Sequence, residues 1–390
     1  MSGTFSRRSD FARDHNRWEL ARAEALRAGR VLLDLTESNP TRAGLPSLPG
    51  AIAALAHVDA VHYRPEPFGL RSAREAIAGF MASQGQRVAP ERIALTASTS
   101  EAYAFLFKLL CDPGDEVLVP APSYPLFEHL ARLESVRARS YPLAYDGRWH
   151  LQPEALHRAL GPRTRAVVAV HPNNPTGSYL KRDELAELSR LGVPILSDEV
   201  FAAYALCDDA SRASSALAAQ DALVFSLHGL SKLAGLPQLK LAWMCVGGPD
   251  ALADEACARL ELIADSFLSV ATPVQLALPA ILEMLGATVG AIRARLWRNL
   301  ERLNARTRGT AATALHVEGG WYAVVRLPGL MDDETWALDL LRTADVLVQP
   351  GYFYDFEDGP FVVLSLLTQE GVFEDGVARM LARIEDLSGA

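Results

Sequence analysis

The feature that most constrains the fold of this chain is a regular alternation, between Ile93 and Val246, of short apolar runs with longer stretches of helical spacing. The longer stretches, such as Glu101–Leu110 and Arg182–Leu191, have the length of helices. This alternation predicts an α/β fold in which a mostly parallel sheet is covered by helices on both faces. In such sheets ligands bind at the carboxyl ends of the strands. The predicted strands are Ile93–Ala97, Glu116–Val119, Ala166–Val170, Pro194–Leu196, Ala222–Leu227 and Leu241–Val246.

One loop at a strand end carries a lysine on a tight turn. In the segment Gly229–Lys240, Ser231 precedes Lys232 shortly after the predicted strand that ends at Leu227. A lysine held in this way can form a Schiff base with an aldehyde cofactor, although a lysine in a turn is more often a solvated surface charge. The interpretation therefore depends on the other loops at the same edge of the sheet.

Three further loops at strand ends carry polar groups that such a cofactor needs. Asp198 follows a buried strand, and Asn174 precedes a proline in a turn-forming segment. Thr99 and Ser100 join a strand to a helix, where backbone N–H groups can hold an anion. Each has an ordinary alternative, because aspartate, serine and threonine cap helices and Asn-Pro is a common turn.

Taken in their order along the chain, the four segments resemble those of the class I and II aminotransferases, the fold type I family of pyridoxal-phosphate enzymes. The resemblance extends from about Asp34 to the C-terminus. The resemblance implies a large domain with a mostly parallel sheet between helices, and a smaller α+β domain. We expect residues 1–45 to form an N-terminal arm and part of the small domain, 46–290 the large cofactor domain, and 291–390 the C-terminal small domain. The resemblance also implies pyridoxal 5'-phosphate as cofactor and a homodimer with shared active sites.

The resemblance gives the catalytic roles to Lys232 and Asp198. Lys232 would hold the cofactor as a Schiff base and carry a proton once the substrate releases it, and Asp198 would pair with the protonated pyridine nitrogen. Asn174 would donate to the 3-hydroxyl of the ring. The other implied cofactor contacts are Thr99, Ser100, Ser231 and Lys240 at the phosphate, Tyr124 stacked on the ring, and Tyr63 reaching the phosphate from the partner subunit. For the two tyrosines, core packing and a plain turn are the ordinary alternatives.

The chain departs from the family pattern at four positions. Lys240 stands where the family usually has an arginine on the phosphate, and Gly229 replaces a common phosphate-binding serine. Phe201 falls where the family often has a tyrosine that bonds to the 3-hydroxyl; Tyr204 is nearby in the sequence. The most serious change is Val363, which aligns with the arginine that grips the α-carboxylate of the substrate, because a valine cannot hold a carboxylate.

Another cation must then hold the carboxylate if the substrate is gripped in the usual way. Our candidate is Arg42, because the corresponding loop of the family borders the substrate and Asn39 matches the usual character of that loop. The ordinary alternative is a surface arginine whose stem lies on Leu45. Trp321 is expected near the substrate as part of an aromatic wall, although aromatic residues beside glycines are more often in the core.

The composition limits the classes of partner. The 390 residues carry a net charge of −9 and no run of basic residues, which argues against nucleic-acid binding. The N-terminus lacks the apolar segment of a signal peptide, and no apolar run reaches the length of a membrane span, so we expect a cytoplasmic protein. The four cysteines are widely separated and form no C-x-x-C pair, so neither disulfides nor a metal site is expected.

The sequence thus predicts an aminotransferase that moves an amino group from an L-amino acid to a 2-oxo acid, and the Trp- and Tyr-rich surroundings favour medium-sized neutral or aromatic donors. The loss of the carboxylate arginine is also compatible with other reactions of the same cofactor, those of a lyase, decarboxylase, racemase or cyclase. A ligand-sensing domain without catalysis is a third possibility. The sequence shows no helix-turn-helix region that would favour it.

Overall fold

The computed structural model describes residues 4–46 and 48–389. Its strands, numbered along the chain, are β1 (Leu33–Asp34), β2 (Ile93–Thr96), β3 (Glu116–Ala121), β4 (Arg137–Tyr145), β5 (Trp149–Leu151), β6 (Thr164–Val170), β7 (Ile195–Asp198), β8 (Val224–Gly229), β9 (Ala242–Gly247), β10 (Thr313–Ala314), β11 (Tyr322–Arg326), β12 (Val346–Leu347), β13 (Gln349–Pro350) and β14 (Phe361–Ser365).

The helices are α1 (Arg17–Arg27), α2 (Pro49–Ala53), α3 (Arg71–Ser83), α4 (Thr99–Leu110), α5 (Leu126–Leu133), α6 (Pro153–Ala159), α7 (Arg182–Ser189), α8 (Leu230–Leu233), α9 (Asp250–Asp265), α10 (Thr272–Glu283), α11 (Leu285–Thr307), α12 (Asp333–Ala344) and α13 (Glu370–Ser388).

Eight strands form the central sheet, in the order β2-β9-β8-β7-β6-β3-β4-β5. The strands from β8 through β7, β6 and β3 to β4 run parallel. Strand β9 is antiparallel to both of its neighbours, β2 and β8, and β5 returns antiparallel to β4. The prediction of a mostly parallel sheet is confirmed. Because β2 is antiparallel to β9, it points the same way as β8, and its carboxyl end lies at the same edge.

Alternate side chains of each strand enter two different helix layers. Ala94 and Met244 pack with α4, α5 and α9 on one face of the sheet. Ile93 and Trp243, one position away on the same strands, pack with α3 and α10 on the other face. Further along that second face, Val167 packs with α6 and α7. Burial on both faces explains why these strands read as continuous apolar runs.

A second sheet, in the order β10-β11-β14-β13, lies in the C-terminal part of the chain. Its core is formed with α1, α11, α12 and α13, and includes Val363 of β14 opposite Val324 of β11. Strand β1 pairs in parallel with β12, where Leu33 stands opposite Val346. The N-terminal segment therefore shares a core with the C-terminal part.

The spacing of apolar residues in Phe11–Ala28 predicts an N-terminal helix that ends at Gly29, and the observed helix is shorter. It begins at Arg17 because the side chain of Asn16 caps it, accepting from the backbone N–H of Glu19 at 2.7 Å. It ends as predicted beside Gly29, whose φ of +71° is the left-handed conformation that a glycine adopts after a helix.

The sequence pattern predicts one long helix over Asp250–Gly286 and another over Thr288–Arg308, and the first prediction is wrong. The chain breaks between α9 and α10, where Leu268 adopts φ of +47° and Pro273 stands in the first turn of α10 without an N–H to continue a helix. The predicted helix at Thr288 in turn begins earlier, at Leu285.

Within residues 4–46 and 48–389, no single helix is long and apolar enough to cross a membrane. Helices α10 and α11 reach that length and hydropathy only as a pair, and they are bent by 68° at their junction.

Candidate active site

The predicted site residues come together because three parallel strands and β2 end at one edge of the central sheet. Asp198 is the last residue of β7, and β8 beside it leads directly into the turn that carries Lys232. Strand β6, on the other side of β7, leads into the loop with Asn174. Thr99 opens helix α4 directly after β2. The carboxyl edge of the sheet thus gathers an amine, an acid, an amide and a helix N-terminus.

Lys232 lies against two aromatic rings. Its Nζ is 5.1 Å from the ring centroid of Trp321 and 5.6 Å from that of Phe201. Burial lowers the pKa of the Lys232 amine, and the carboxylate of Asp198 opposes this shift. The surroundings therefore favour a neutral amine more than water does, and a neutral amine is the form that attacks a carbonyl or accepts a proton.

Asp198 is held in part by Tyr103, a residue of α4 that the sequence did not indicate as part of the site. The hydroxyl of Tyr103, in α4, donates to Asp198 Oδ2 at 3.4 Å, and the backbone N–H of Val200 donates to Oδ1 at 3.2 Å. Burial raises the pKa of Asp198 to about 6, while these hydrogen bonds and the nearby Lys232 work in the opposite direction. The ionised carboxylate of Asp198 would stabilise a cation placed beside it.

The two asparagines of the β6 loop have different surroundings. Asn173 is fully bonded: its Nδ2 donates to Pro122 O and Thr176 Oγ1, and its Oδ1 accepts from Ser123. The side chain of Asn174 is also buried, but its Oδ1 has no hydrogen-bond partner among the described residues. A buried amide oxygen without a partner is costly in a folded protein, so Asn174 is the residue of this loop that a ligand can satisfy.

The N-terminus of α4 is capped one residue before the predicted phosphate contacts. The side chain of Ser98 accepts from the backbone N–H of Glu101, whose carboxylate accepts from the N–H of Ala97. Thr99 and Ser100 then occupy the first turn, where no earlier helical carbonyl accepts from their amides. Their N–H groups and the helix dipole together are suited to an anion.

The other predicted phosphate contacts differ in exposure. Ser231 is half-buried beside Lys232, whereas Lys240 is exposed and adopts a left-handed φ of +50°. Tyr63 is 76% exposed.

Aromatic side chains line the substrate side of the site. Tyr124 is partly exposed; desolvation and then the charge of Asp198 raise the pKa of its phenol. Trp321 is fully buried, and its Nε1 has no partner among the described residues. Burial raises the pKa values of Tyr322 and Tyr354, and the nearby Tyr124 raises both further. Tyr322 and Tyr354, which the resemblance places with Trp321 in an aromatic wall, thus lie close to Tyr124.

The structure shows the surroundings of Tyr204 and of Val363, the residue that aligns with the carboxylate-binding arginine of the family. Tyr204 donates its hydroxyl to the backbone carbonyls of Lys232 and Leu233, at 2.8 and 3.0 Å, so it supports the turn of the lysine. Val363 is completely buried in β14, and its neighbours across the strands are Val324 and Gln349.

The candidate substrate loop is folded on itself. Asn39 Oδ1 accepts from both the N–H and the hydroxyl of Thr41, and the backbone N–H of Arg42 donates to the carbonyl of Asn39. The side chain of Arg42 is exposed. Asn39 therefore shapes the turn that presents Arg42.

Comparison with known protein families shows to which family the chain belongs. The family model for aminotransferases of class I and II matches residues 31–370, most of the chain. The chain belongs to the class I and II aminotransferase family.

Individual aminotransferases agree with this assignment. The chain is 33% identical over 219 residues to the glutamate-pyruvate aminotransferase AlaA of Escherichia coli K12, a match that covers 55% of the chain and 54% of that protein, about half its length. It is 30% identical over 322 residues to an aspartate/prephenate aminotransferase of Thermus thermophilus, covering 79% of each. The crystal structure of an aminotransferase from Escherichia coli has the same fold, with a TM-score of 0.86 over 99% of both chains at 23% identity.

Proposed function

We propose that the chain is a pyridoxal-phosphate-dependent aminotransferase that moves an amino group from an L-amino acid to a 2-oxo acid. The observation that carries the proposal is the combination of Lys232 and Asp198 at adjoining strand ends, an amine of lowered pKa near an acid of raised pKa. A buried amine of this kind is suited to hold an aldehyde cofactor covalently. Membership of the aminotransferase family supports the same activity.

The residues at the site fit this cofactor. Among the described residues Asn174 Oδ1 has no partner, so it can accept from a ring hydroxyl, which reverses the donation implied by the resemblance, and Asp198 supplies an anion for a protonated ring nitrogen. The first turn of α4, with Thr99 and Ser100, offers amides to a phosphate, and Ser231 and Lys240 extend that binding site. When bound, pyridoxal phosphate supplies an electron sink for the carbon that carries the substrate nitrogen.

The side chains then have separate tasks. Lys232 Nζ would hold the cofactor and, when free, would move the proton that leaves the substrate Cα. Burial lowers the pKa of Lys232, so a larger fraction of the amine is neutral and able to accept this proton than it would be in water. Asp198 holds a proton on the ring nitrogen through its negative charge. The rings of Trp321 and Phe201 keep water away from Nζ, which limits side reactions.

We propose Arg42 as the cation for the substrate carboxylate, because Val363 is apolar and completely buried. An arginine offers two parallel N–H donors that match a carboxylate. Replacing Arg42 by Ala should raise the KM for the amino donor about 10- to 100-fold, the effect of one hydrogen-bonded charge. Arg42→Lys keeps the charge without the planar fork and should lose less. Unchanged steady-state constants in Arg42→Ala would remove Arg42 from the site.

The proposed enzyme is a cytoplasmic homodimer with shared active sites. Tyr63 and its neighbours Val58 and Val61 are each more than 75% exposed in the single chain, a group of apolar side chains that a partner subunit would cover. The four cysteines are free thiols, which fits a reducing compartment. Its substrates are small molecules, an amino acid and a 2-oxo acid.

Transamination assays with defined substrate pairs test the proposal. The pairs to offer are glutamate with pyruvate, aspartate with prephenate, and an aromatic amino acid with a 2-oxo acid, since the first two follow the names of relatives and the third follows the aromatic wall. We expect transfer for at least one pair, and a loss of at least about 10³-fold in Lys232→Ala. Lys108→Ala, a change on the outer side of α4, should retain full activity. Undiminished transfer in Lys232→Ala would exclude the mechanism.

The buried Val363 gives one alternative a specific basis. Without an arginine at this position, the substrate is free to bind in a different orientation, and orientation decides which bond to Cα breaks. In that case the same assays would show the donor consumed with release of ammonia or carbon dioxide and no transfer to an acceptor. Such products would indicate a lyase or a decarboxylase on the same site.

A further inference from the structure

A buried ion cluster lies beside the site, where the loop after Asn174 meets the chain entering β11. The Nζ of Lys181 is 2.6 Å from Glu318 Oε2 and 2.8 Å from Asp209 Oδ2. Lys181 and Glu318 are both more than 90% buried, whereas Asp209 is partly exposed. Glu318 Oε2 also accepts from the backbone N–H of Tyr179 at 2.9 Å. Glu318 therefore ties a residue of the C-terminal part to two positions of the central sheet's loops.

The backbone next to Glu318 is held as tightly as its side chain. The N–H of Leu206 donates to the Glu318 carbonyl at 2.9 Å, and the N–H of Gly320 donates to the Tyr204 carbonyl at 3.0 Å. Between them, Gly319 has no room for a side chain, because a Cβ there would lie 2.6 Å from both the Tyr179 ring and the Tyr204 carbonyl oxygen. Residues 318–320 are thus fixed on both sides.

This fixed segment leads directly to the surroundings of Lys232 by two routes. The next residue along the chain is Trp321, whose ring lies 5.1 Å from Lys232 Nζ. The second route passes through Tyr204, whose carbonyl accepts from Gly320 and whose hydroxyl donates to the Lys232 carbonyl at 2.8 Å. The rings of Tyr204 and Trp321 also contact each other, with centroids 5.5 Å apart.

A buried ion pair contributes little net stability compared with well-packed apolar residues, because the desolvation of both charges opposes their attraction. What it supplies is a defined geometry, since each charge must find its partner. Here the ion pair of Lys181 and Glu318 defines the position of Trp321 relative to Lys232.

We propose that Glu318 is a positioning residue for Lys232: through its bonds to Lys181 and Tyr179 it holds Trp321 and Tyr204 where they set the environment of the reactive amine. The proposal rests on the proposed function of Lys232. It does not require Glu318 to touch substrate or cofactor.

Glu318→Gln tests the proposal, because the amide keeps the size and loses the charge. In the loaded enzyme we expect kcat to fall about 10- to 100-fold, the effect of a small misplacement, with KM changed less than about 3-fold. In the cofactor-free protein, the midpoint pH for acylation of Lys232, followed by mass spectrometry of its peptide, should fall by about half a unit, since a displaced Trp321 ring no longer stabilises the ammonium.

Asp209→Asn is the matched control. It removes the other carboxylate of the same lysine and leaves the bonds of Glu318 in place, so both kcat and the acylation midpoint should stay at their wild-type values. If Glu318→Gln does not fold, the double variant Lys181→Gln/Glu318→Gln, which removes both buried charges and leaves only the partly exposed Asp209 without its partner, replaces it in the same two measurements. The proposal is overturned if the Glu318 variant matches Asp209→Asn in both.

Failure of the proposed function would look different. Borohydride reduction of the loaded wild-type protein should attach the cofactor to the Lys232 peptide. If that peptide is not labelled, Lys232 does not hold the cofactor, and the proposed function fails whatever the Glu318 variant does. If it is labelled and the Glu318 variant behaves as wild type, only the positioning role fails.

Discussion

At the scale of the residue, the site depends on two side chains whose pKa values are shifted from their ordinary range. Burial lowers the pKa of Lys232 and raises that of Asp198 to about 6. A cationic ligand beside Asp198 would reverse the second shift. The ionised carboxylate of Asp198 therefore destabilises the cofactor-free protein, and it becomes favourable when a cationic ligand binds beside it.

Replacing Asp198 by Asn should stabilise the cofactor-free protein in a pH-dependent way. The folded-state pKa of Asp198, about 6, lies above the ordinary value of 3.8, so its contribution to stability is fully present below about pH 4 and is lost as the pH rises through about 6. At about pH 8 the variant should exceed wild type by about 1–3 kcal/mol, and at about pH 4 the difference should be small.

Urea unfolding of both proteins at the two pH values measures this difference. The exposed Asp208→Asn variant is the control and should show no such dependence on pH. A difference between Asp198→Asn and wild type that is the same at both pH values would contradict the account of Asp198.

Sequence reasoning could identify residues at strand ends, because a strand end is visible as the end of an apolar run. Lys232, Asp198 and Asn174 were found in this way, and the structure brings them to one edge. Tyr103 was missed, since its contact with Asp198 depends on how α4 packs on the sheet. The bonds of Glu318 were missed for the same reason, because they join residues more than 100 positions apart.

At the scale of the element, strands were easier to predict than helix ends. The inner strands of the central sheet are buried on both faces and therefore appear as apolar runs. Strand β4, near one end of the same sheet, was missed because much of it is exposed, including Arg137 and Arg139. The break after α9 was missed because Leu268 gives no local signal for its left-handed conformation. Only Pro273 marked the boundary, and it is compatible with a helix start as well as a break.

The entry to β11 should tolerate little added volume. Gly319→Ala would place a Cβ 2.6 Å from the Tyr179 ring and the Tyr204 carbonyl, so we expect a loss of about 1–3 kcal/mol in the free energy of unfolding and a fall in activity as Trp321 shifts. Gly290→Ala, on the exposed side of α11 with nothing within 4 Å, should instead add about 0.5–1 kcal/mol. Equal effects of the two changes, measured by urea unfolding, would show that Gly319 has room.

At the scale of the whole molecule, the central prediction is that each active site uses two subunits. The exposed Tyr63 is the residue expected to cross to the partner. The division into parts at residues 45 and 290 also stays a prediction; what the structure gives is a second sheet whose core includes both α1 and the C-terminal α13.

Mixing two impaired variants tests the shared site. Lys232→Ala and Tyr63→Ala dimers, unfolded and refolded together, should form hybrids in which one of the two sites is intact. Random pairing then predicts about one quarter of the wild-type activity, well above that of either variant alone. Activity equal to the average of the separate variants would mean that each subunit builds its own site.

The most direct test of the central claim, transamination at Lys232, is a half-reaction. The purified, cofactor-loaded protein is incubated with one amino donor and no acceptor, and the 2-oxo acid, ammonia and carbon dioxide are measured against the number of sites. The account predicts one 2-oxo acid per Lys232, with the nitrogen retained on the protein-bound cofactor and no product from Lys232→Ala. Continued turnover that releases ammonia or carbon dioxide in the absence of an acceptor would contradict it.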